Sequence, residues 1–578
     1  MNASPALPFA LPVRLRPVSV GSMAGLALAS VALAPPLLGG FVLMDWSDTV
    51  EAAVVGLLEA SVVGLWASRG GRLPQGSAQG SARWVPVVVA AWLAAMALAT
   101  AAAVDVAPAV VRTAAWVAHV AFAAVVWAEA QRDPAAVRAV ERGAAGGFVA
   151  AAVLGTAVWA WDALVGGTLD WSYHVPFVGG VRWAGVYGLA GVFFAVRGLV
   201  SAEDRGQGAV AFAAAAVGWA ALMWSASRGA LGGAVVASAF VVWCAPSRMR
   251  ATVALAASAV AGAALSLVVA VDVPGVGLWR FFEASPTGVA AFTSGRTVLW
   301  EIAVEAWQRH PVLGLGPGST VSLLSPVGNA HVHNAVLQAL VEWGLVGTLP
   351  FVALAAGLLW RAVAVGRGAH REVSPAVDVR LGAAAYLVAT AAAAMLDGLT
   401  SDPATTALMA GASALVLLPN ASTCRPPRRS VGSVWWSRGV VVSALAAAVV
   451  LAAHLVLLRA VWMPGVPPPD SFRARAVLAA PTSPFAKEIE GWGRSWMPTD
   501  PAAADRVARW GLAVGRSPWL FLRLRGDLAL RRGDAAAAEA DYRRAAVLYA
   551  RAVAPLVRFR AETPSGGDAV PASRNAGD

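Results

Sequence analysis

Charged side chains are scarce. Asp, Glu, Lys and Arg make up 13% of the 578 residues, against about 25% in an average soluble domain. That shortage excludes an ordinary water-soluble fold with a charged surface, and the mean hydropathy of +0.64 agrees. Lysine is almost missing: Lys487 is the only one. Cysteine is nearly as rare. Cys244 closes an apolar run and Cys424 sits in a basic loop, so the chain writes no metal or redox motif and no disulfide framework.

What is there instead is apolar. Hydrophobic residues reach 58%, in recurring runs of roughly 20, the length a helix needs to cross a bilayer. Leu, Ala, Val and Gly fill the runs with little strict alternation, which favours helices over a membrane barrel. Thirteen spans are expected, at 18–44, 49–66, 84–104, 108–130, 143–165, 181–200, 208–225, 229–245, 251–271, 335–363, 380–397, 403–419 and 439–462. The second is unusual in carrying Glu51 and Glu59. The expected fold class is all-α: a polytopic transmembrane bundle of 12–13 spans, with one long loop and a small helical tail.

The formal net charge is +11. It is spread over the connections between apolar runs, which points to the positive-inside rule and not to nucleic acid. Arg14 and Arg16 precede the first run, which ends without a convincing cleavage site, so it reads as a span rather than a signal peptide. With residues 1–17 cytoplasmic, alternate loops collect arginine: Arg69, Arg72 and Arg83, then Arg132, Arg138 and Arg142, and later Arg425, Arg428, Arg429 and Arg438. The opposite loops hold Asp45, Asp48, Asp105 and Asp402. This register makes 18–271 spans one to nine, 272–334 an extracytoplasmic loop, 335–462 spans ten to thirteen, and 463–562 an extracytoplasmic tail before a disordered 563–578. In the tail, Leu522, Gly526, Ala529, Ala538, Tyr542 and Ala545 fall at tetratricopeptide-repeat spacings. A plain amphipathic helix pair fits the same pattern.

Several cations defy the register. Arg182, Arg228, Arg280, Arg296 and Arg309 fall on the extracytoplasmic side, and cations that topology does not explain are candidates for holding an anion. The long loop carries a helix over Arg296–Gln308, with Val298, Ile302, Ala303 and Ala306 on one face. Pro311 ends it, and LGLGPG is a backbone turn without the Lys-Ser/Thr of a phosphate-binding loop. Then comes HVHNAVLQALVEWGLVG, His331–Gly347, with two imidazoles and an amide at the start of an apolar helix. Asn334 is placed to cap that helix, and Glu342, two turns on, reads as structural. His119 and His454 lie mid-span as packed histidines, His174 and Tyr173 belong to another loop, and Asp397 and Asp402 flank the turn GLTSD.

Gly295-Arg296, Trp300, His310-Pro311 through Gly318, His331-Val332-His333-Asn334 and Glu342-Trp343-Gly344-Leu345-Val346-Gly347 together resemble the O-antigen ligase and polymerase superfamily, and SRGALGG at Ser227–Gly233 resembles its other arginine motif. The resemblance implies a polyprenyl-diphosphate-linked (undecaprenyl) glycan donor, a lipid or glycan acceptor, surrounding membrane lipids, and no metal, nucleotide sugar or other cofactor. It implies work at the outer face of the cytoplasmic membrane, with the tail available to other envelope-assembly proteins.

On that basis His333 is the candidate general base, since imidazole takes a hydroxyl proton near neutral pH. Arg228 and Arg296 are the candidates to hold the diphosphate, because a guanidinium pairs with phosphate oxygens and stays charged. His331, Asn334, Arg280, Arg309 and His174 are weaker substrate-binding candidates. The bland alternative makes both histidines of HVHN solvated residues at a helix start. For the reaction, a ligase leads. A repeat-unit polymerase and a protein O-oligosaccharyltransferase share the motifs. A transporter or flippase of the same lipid would need charges buried along a path, and most spans are clear of them.

Overall fold

The computed structural model describes residues 20, 22–30, 48–73, 84–165, 181–201, 205–268, 277–278, 296–324, 331–369, 375–419, 432–462, 465–479, 486–514 and 518–548. Within them the chain is helical and has no strand. Residues 22–30 form α1. There follow α2 (Asp48–Ser68), α3 (Trp84–Ala101), α4 (Val106–Arg132), α5 (Pro134–Val165), α6 (Val181–Phe194), α7 (Val196–Ser201), α8 (Arg205–Trp224), α9 (Arg228–Cys244) and α10 (Arg248–Val268). Then come α11 (Arg296–Arg309), α12 (Ser319–Leu324), α13 (Ala335–Ala369), α14 (Pro375–Ala394), α15 (Pro403–Val416) and α16 (Gly432–Trp462). The tail holds α17 (Phe472–Ala479), α18 (Ala486–Trp496), α19 (Pro501–Val514), α20 (Pro518–Arg531) and α21 (Ala535–Leu548).

Among the described residues, seven helices are long and apolar enough to cross a membrane, and four shorter apolar helices lie among them. The chain is a polytopic helical membrane protein. Small residues let the helices approach closely, as suits packing without a hydrophobic drive in lipid. In the contact of α2, α4 and α16, for example, Ala52, Ala53, Ala114, Ala115, Ala118 and Ala447 are buried with Leu451. Large apolar side chains such as Val87, Val210, Val260 and Val449 are exposed instead. Two polar residues deep in this bundle pair with each other: His119 Nδ1 lies 2.6 Å from Glu59 Oε2.

Two expected spans are not continuous helices. The sixth is divided between α6 and α7 at Ala195. The tenth is broken inside α13 at Gly344, whose φ of 57° and ψ of −164° leave the helical region. A helix break in lipid would strand backbone groups at about 2–7 kcal/mol each. Here the turn after α11 fills it. Leu315 and Gly316 N–H donate to the Val341 and Glu342 carbonyls at 2.7 and 3.0 Å. In return Leu345 and Val346 N–H donate to the Pro311 and Val312 carbonyls at 2.9 and 3.2 Å. A Cβ at Gly344 would sit 2.2 Å from the Val312 oxygen, so the exchange requires glycine there.

The tail has its own core, with Val477, Ile489, Trp492, Val507, Phe521 and Leu524 buried together. It is fastened to α16 by Arg473, which donates from Nε and Nη2 to the Ala460 and Val461 carbonyls at 2.5 and 3.1 Å. These are among the last carbonyls of α16, which its own helix cannot satisfy. In the pair α20–α21, Leu522, Ala529, Ala538, Tyr542 and Ala545 are buried, and a Cβ at Gly526 would meet the Tyr542 ring at 2.5 Å.

Candidate active site

Three separate motifs meet at Asp397, which follows α14 and is 4% exposed. Arg296, the first residue of α11, donates from Nη2 to Asp397 Oδ1 at 2.9 Å. His333 Nδ1 lies 3.7 Å from the same oxygen, an ion-pair separation and longer than a hydrogen bond. Ser227 donates from its hydroxyl to Asp397 Oδ2 at 3.1 Å. Ser227 is the N-cap of α9 and accepts from the Ala230 N–H. The carboxylate therefore also faces the positive end of α9.

The arginine motif has a packing reason for its glycines. A Cβ at Gly229 would lie 2.3 Å from Asp397 Oδ2, and one at Gly233 would lie 2.3 Å from the Ala389 carbonyl. These two positions, four apart, give α9 a flat face against α14. Arg228 sits between Ser227 and Gly229 with an exposed side chain. Ala226, just ahead, has a φ of 51°, and His333 has one of 55°. Left-handed backbone at a residue other than glycine costs roughly 1–3 kcal/mol, and both cases occur where the motifs converge.

The HVHN stretch is held from several sides. Trp300 on α11 donates from Nε1 to the Val332 carbonyl at 3.1 Å. Asn334 Oδ1 accepts from the Val336 and Leu337 N–H groups at 3.1 and 3.0 Å, as an N-cap does, and its Nδ2 donates to the Met395 carbonyl at 3.2 Å. His331 is buried. Its ring meets Trp183 edge-on at 5.9 Å, and a Cβ at Gly398 would be 2.9 Å from its own Cβ. His333 is the more open of the two, with 19% of its side chain exposed. Below them Glu342 is buried, accepting from Thr320 Oγ1 at 2.8 Å and Gln338 Nε2 at 3.0 Å.

Other expectations fare differently. Arg309 is at the far end of α11, roughly 20 Å along the axis from Arg296 at 1.5 Å per residue, and bonds Glu305 in the open. It is not part of this cluster. On α11 the buried face is Leu299, Ala303 and Ala306. Val298, expected there, is 49% exposed, because the helix turns Leu299 toward Leu324, Val332 and Val341. Arg280, His174 and the side chain of Arg182 lie outside the described residues. Asp397 itself was placed by sequence only at a turn flank; neither its neighbours nor any spacing set it apart. Among the described residues no three His, Cys, Asp or Glu side chains are grouped as a metal set.

Residues 212–352 match the family described as O-antigen ligase. Over this segment the chain is similar to that family. The match covers about a quarter of the sequence. No curated protein matches the chain. The matched segment runs from α8 into the second part of α13, so it includes Arg228, Arg296, His331 and His333 and stops short of Asp397. The cluster thus joins the matched segment to the turn between α14 and α15.

Proposed function

We propose that the protein transfers a glycan from undecaprenyl diphosphate to an acceptor hydroxyl at the outer face of the cytoplasmic membrane, as an O-antigen ligase does. The observation that carries this reading is the convergence of Arg296, His333 and the Ser227–Arg228 segment on Asp397. A sugar or lipid hydroxyl is a poor nucleophile until its proton is taken. With Nδ1 turned to Asp397, His333 presents Nε2 to the acceptor. The carboxylate then stabilises the imidazolium that forms, the base-and-orienter logic of acyl-transfer triads. The 3.7 Å gap is of the kind that closes when substrate binds.

The acceptor oxygen attacks the anomeric carbon while the bond to the diphosphate oxygen breaks, and the proton passes to His333. Attack from the face opposite the leaving group inverts the configuration. Charge builds on the departing diphosphate, and Arg228 and Arg296 are the cations at hand. Preorganised cations at developing charge are worth roughly 3–4 kcal/mol each. Arg296 already bonds Asp397, which fixes its guanidinium in place before the donor arrives. In this reading residues 272–334 and the tail 463–562 lie outside the cytoplasm.

The test is reconstitution in vesicles with an undecaprenyl-diphosphate-linked oligosaccharide and candidate acceptors, comparing wild type with His333→Ala, Arg228→Ala and Arg296→Ala. Transfer by wild type and its loss in all three is expected. Full transfer by His333→Ala overturns the mechanism. A ladder of products on the lipid carrier selects a polymerase over a ligase.

A further inference from the structure

Glu51 is out of place in an apolar helix, and the reaction above gives it no task. It lies in the first turn of α2, 5% exposed. Its Oε1 accepts from the Ala404 N–H at 3.2 Å and from the Tyr187 hydroxyl at 3.1 Å. The same Tyr187 hydroxyl reaches Asp402 Oδ1 at 2.8 Å, so one phenol stands between the two carboxyls. Asp402 is 6% exposed. An ionised carboxylate only accepts, and a phenol has one proton to give. One phenol proton thus faces two buried carboxyls, and two like charges placed so close together do not both ionise, so one carboxyl takes a proton. Asp402 caps α15, taking the Thr405 N–H on Oδ2 at 2.7 Å. The helix N-terminus favours its charge. The added proton therefore falls to Glu51.

The pair is not remote from the candidate site. Asp402 and Asp397 are the two ends of one short turn, through Gly398 and the 3-10 segment Leu399–Ser401. Tyr187 is one helical turn from Trp183, whose ring packs on His331. Also on α6, a Cβ at Gly185 would touch Ser225 Oγ at 2.3 Å. One helix thus braces the pair, the histidine stretch and the arginine motif.

We propose that Glu51 is a positioning residue: as the neutral partner of Asp402, it ties α2 to the turn that presents Asp397 to Arg296 and His333. The inference rests on the role given above to Asp397. Glu51 lies outside the segment matched by the ligase family, so the site is completed by the N-terminal part of the chain.

Glu51→Gln separates this from a bulk structural role. The amide keeps a carbonyl for Tyr187 and Ala404 and, like a protonated carboxyl, brings no charge up to Asp402. In the full-length protein in vesicles, Glu51→Gln is expected to transfer glycan within about twofold of wild type, while Glu51→Ala loses about tenfold or more in kcat with KM for the donor unchanged. The infrared difference spectrum of wild type minus Glu51→Gln is expected to show one protonated-carboxyl band lost. Equal kcat in the Gln and Ala variants, a loss confined to KM, or no missing band overturns the proposal. The band needs no substrate. A missing band together with a wild type that transfers no glycan would remove the proposed function and leave the pair, with Glu51 neutral, standing.

Discussion

The Ser227 hydroxyl donates to Asp397 Oδ2 at 3.1 Å across 170 residues of chain. The other oxygen of that carboxylate takes Arg296 at 2.9 Å. One acidic side chain therefore fixes the relative position of two arginine motifs that sequence places far apart.

Removing the acid leaves Arg296, 12% exposed, without this partner. Breaking a buried ion pair from one side costs about 3–5 kcal/mol. Asp397→Ala is expected to lower the melting temperature of the detergent-purified protein and to abolish transfer. Asp397→Asn retains the shape and an acceptor for Ser227, so it is expected to fold and to lose most of its kcat. Thermal unfolding by tryptophan fluorescence, alongside the vesicle assay, separates the two.

Arg296→Lys is expected to fail almost as badly as Arg296→Ala. An ammonium cannot hold Asp397 and also offer a planar fork to phosphate. Measuring kcat and KM for the lipid donor in both variants checks this. Recovery of more than half the wild-type kcat by the lysine variant would count against the guanidinium's double role.

Glycines on one helix give a paired test. Gly229 has Asp397 Oδ2 at 2.3 Å from a built Cβ, and Gly232 has nothing within 4 Å. Gly229→Ala is expected to displace the carboxylate and inactivate the enzyme. Gly232→Ala is expected to be neutral or to stabilise by about 0.4–1 kcal/mol, through reduced freedom of the unfolded chain. Activity and melting temperature read both.

The tail clamp predicts a local effect. Arg473→Ala removes the two donors that close the end of α16, together with a guanidinium 5.3 Å from the Trp492 ring. Limited proteolysis is expected to release the tail faster, with transfer changed less than by any substitution at Asp397.

Orientation is checked by labelling. A cysteine at exposed Arg532 is expected to react with an impermeant maleimide in intact cells. Protection there, with labelling only after lysis, would invert the topology on which the outer-face reading depends.

The sequence carried the helices well, for physical reasons. Apolar run length is a local property, and twelve of the expected spans fall on the helices from α2 to α10 and α13 to α16, one of them divided and one broken at Gly344. Asp397 was visible only as an acid in a turn, since its meaning comes from contacts 101 and 170 residues away. The break at Gly344 was hidden inside Gly-Leu-Val-Gly, which reads as more of the same apolar helix. Its cause is another segment's carbonyl. Val298 faces outward: helical spacing gives a face and cannot say which way a short loop helix turns it.

The break in α13 also sets an order of assembly. Because the turn after α11 and the two parts of α13 complete each other's backbone hydrogen bonds, neither is finished alone while the chain enters the membrane. The carboxylate that gathers the motifs arrives later still, with the turn before α15. A chain stalled in synthesis before residue 397 would hold both arginine motifs and both histidines, yet have no assembled centre.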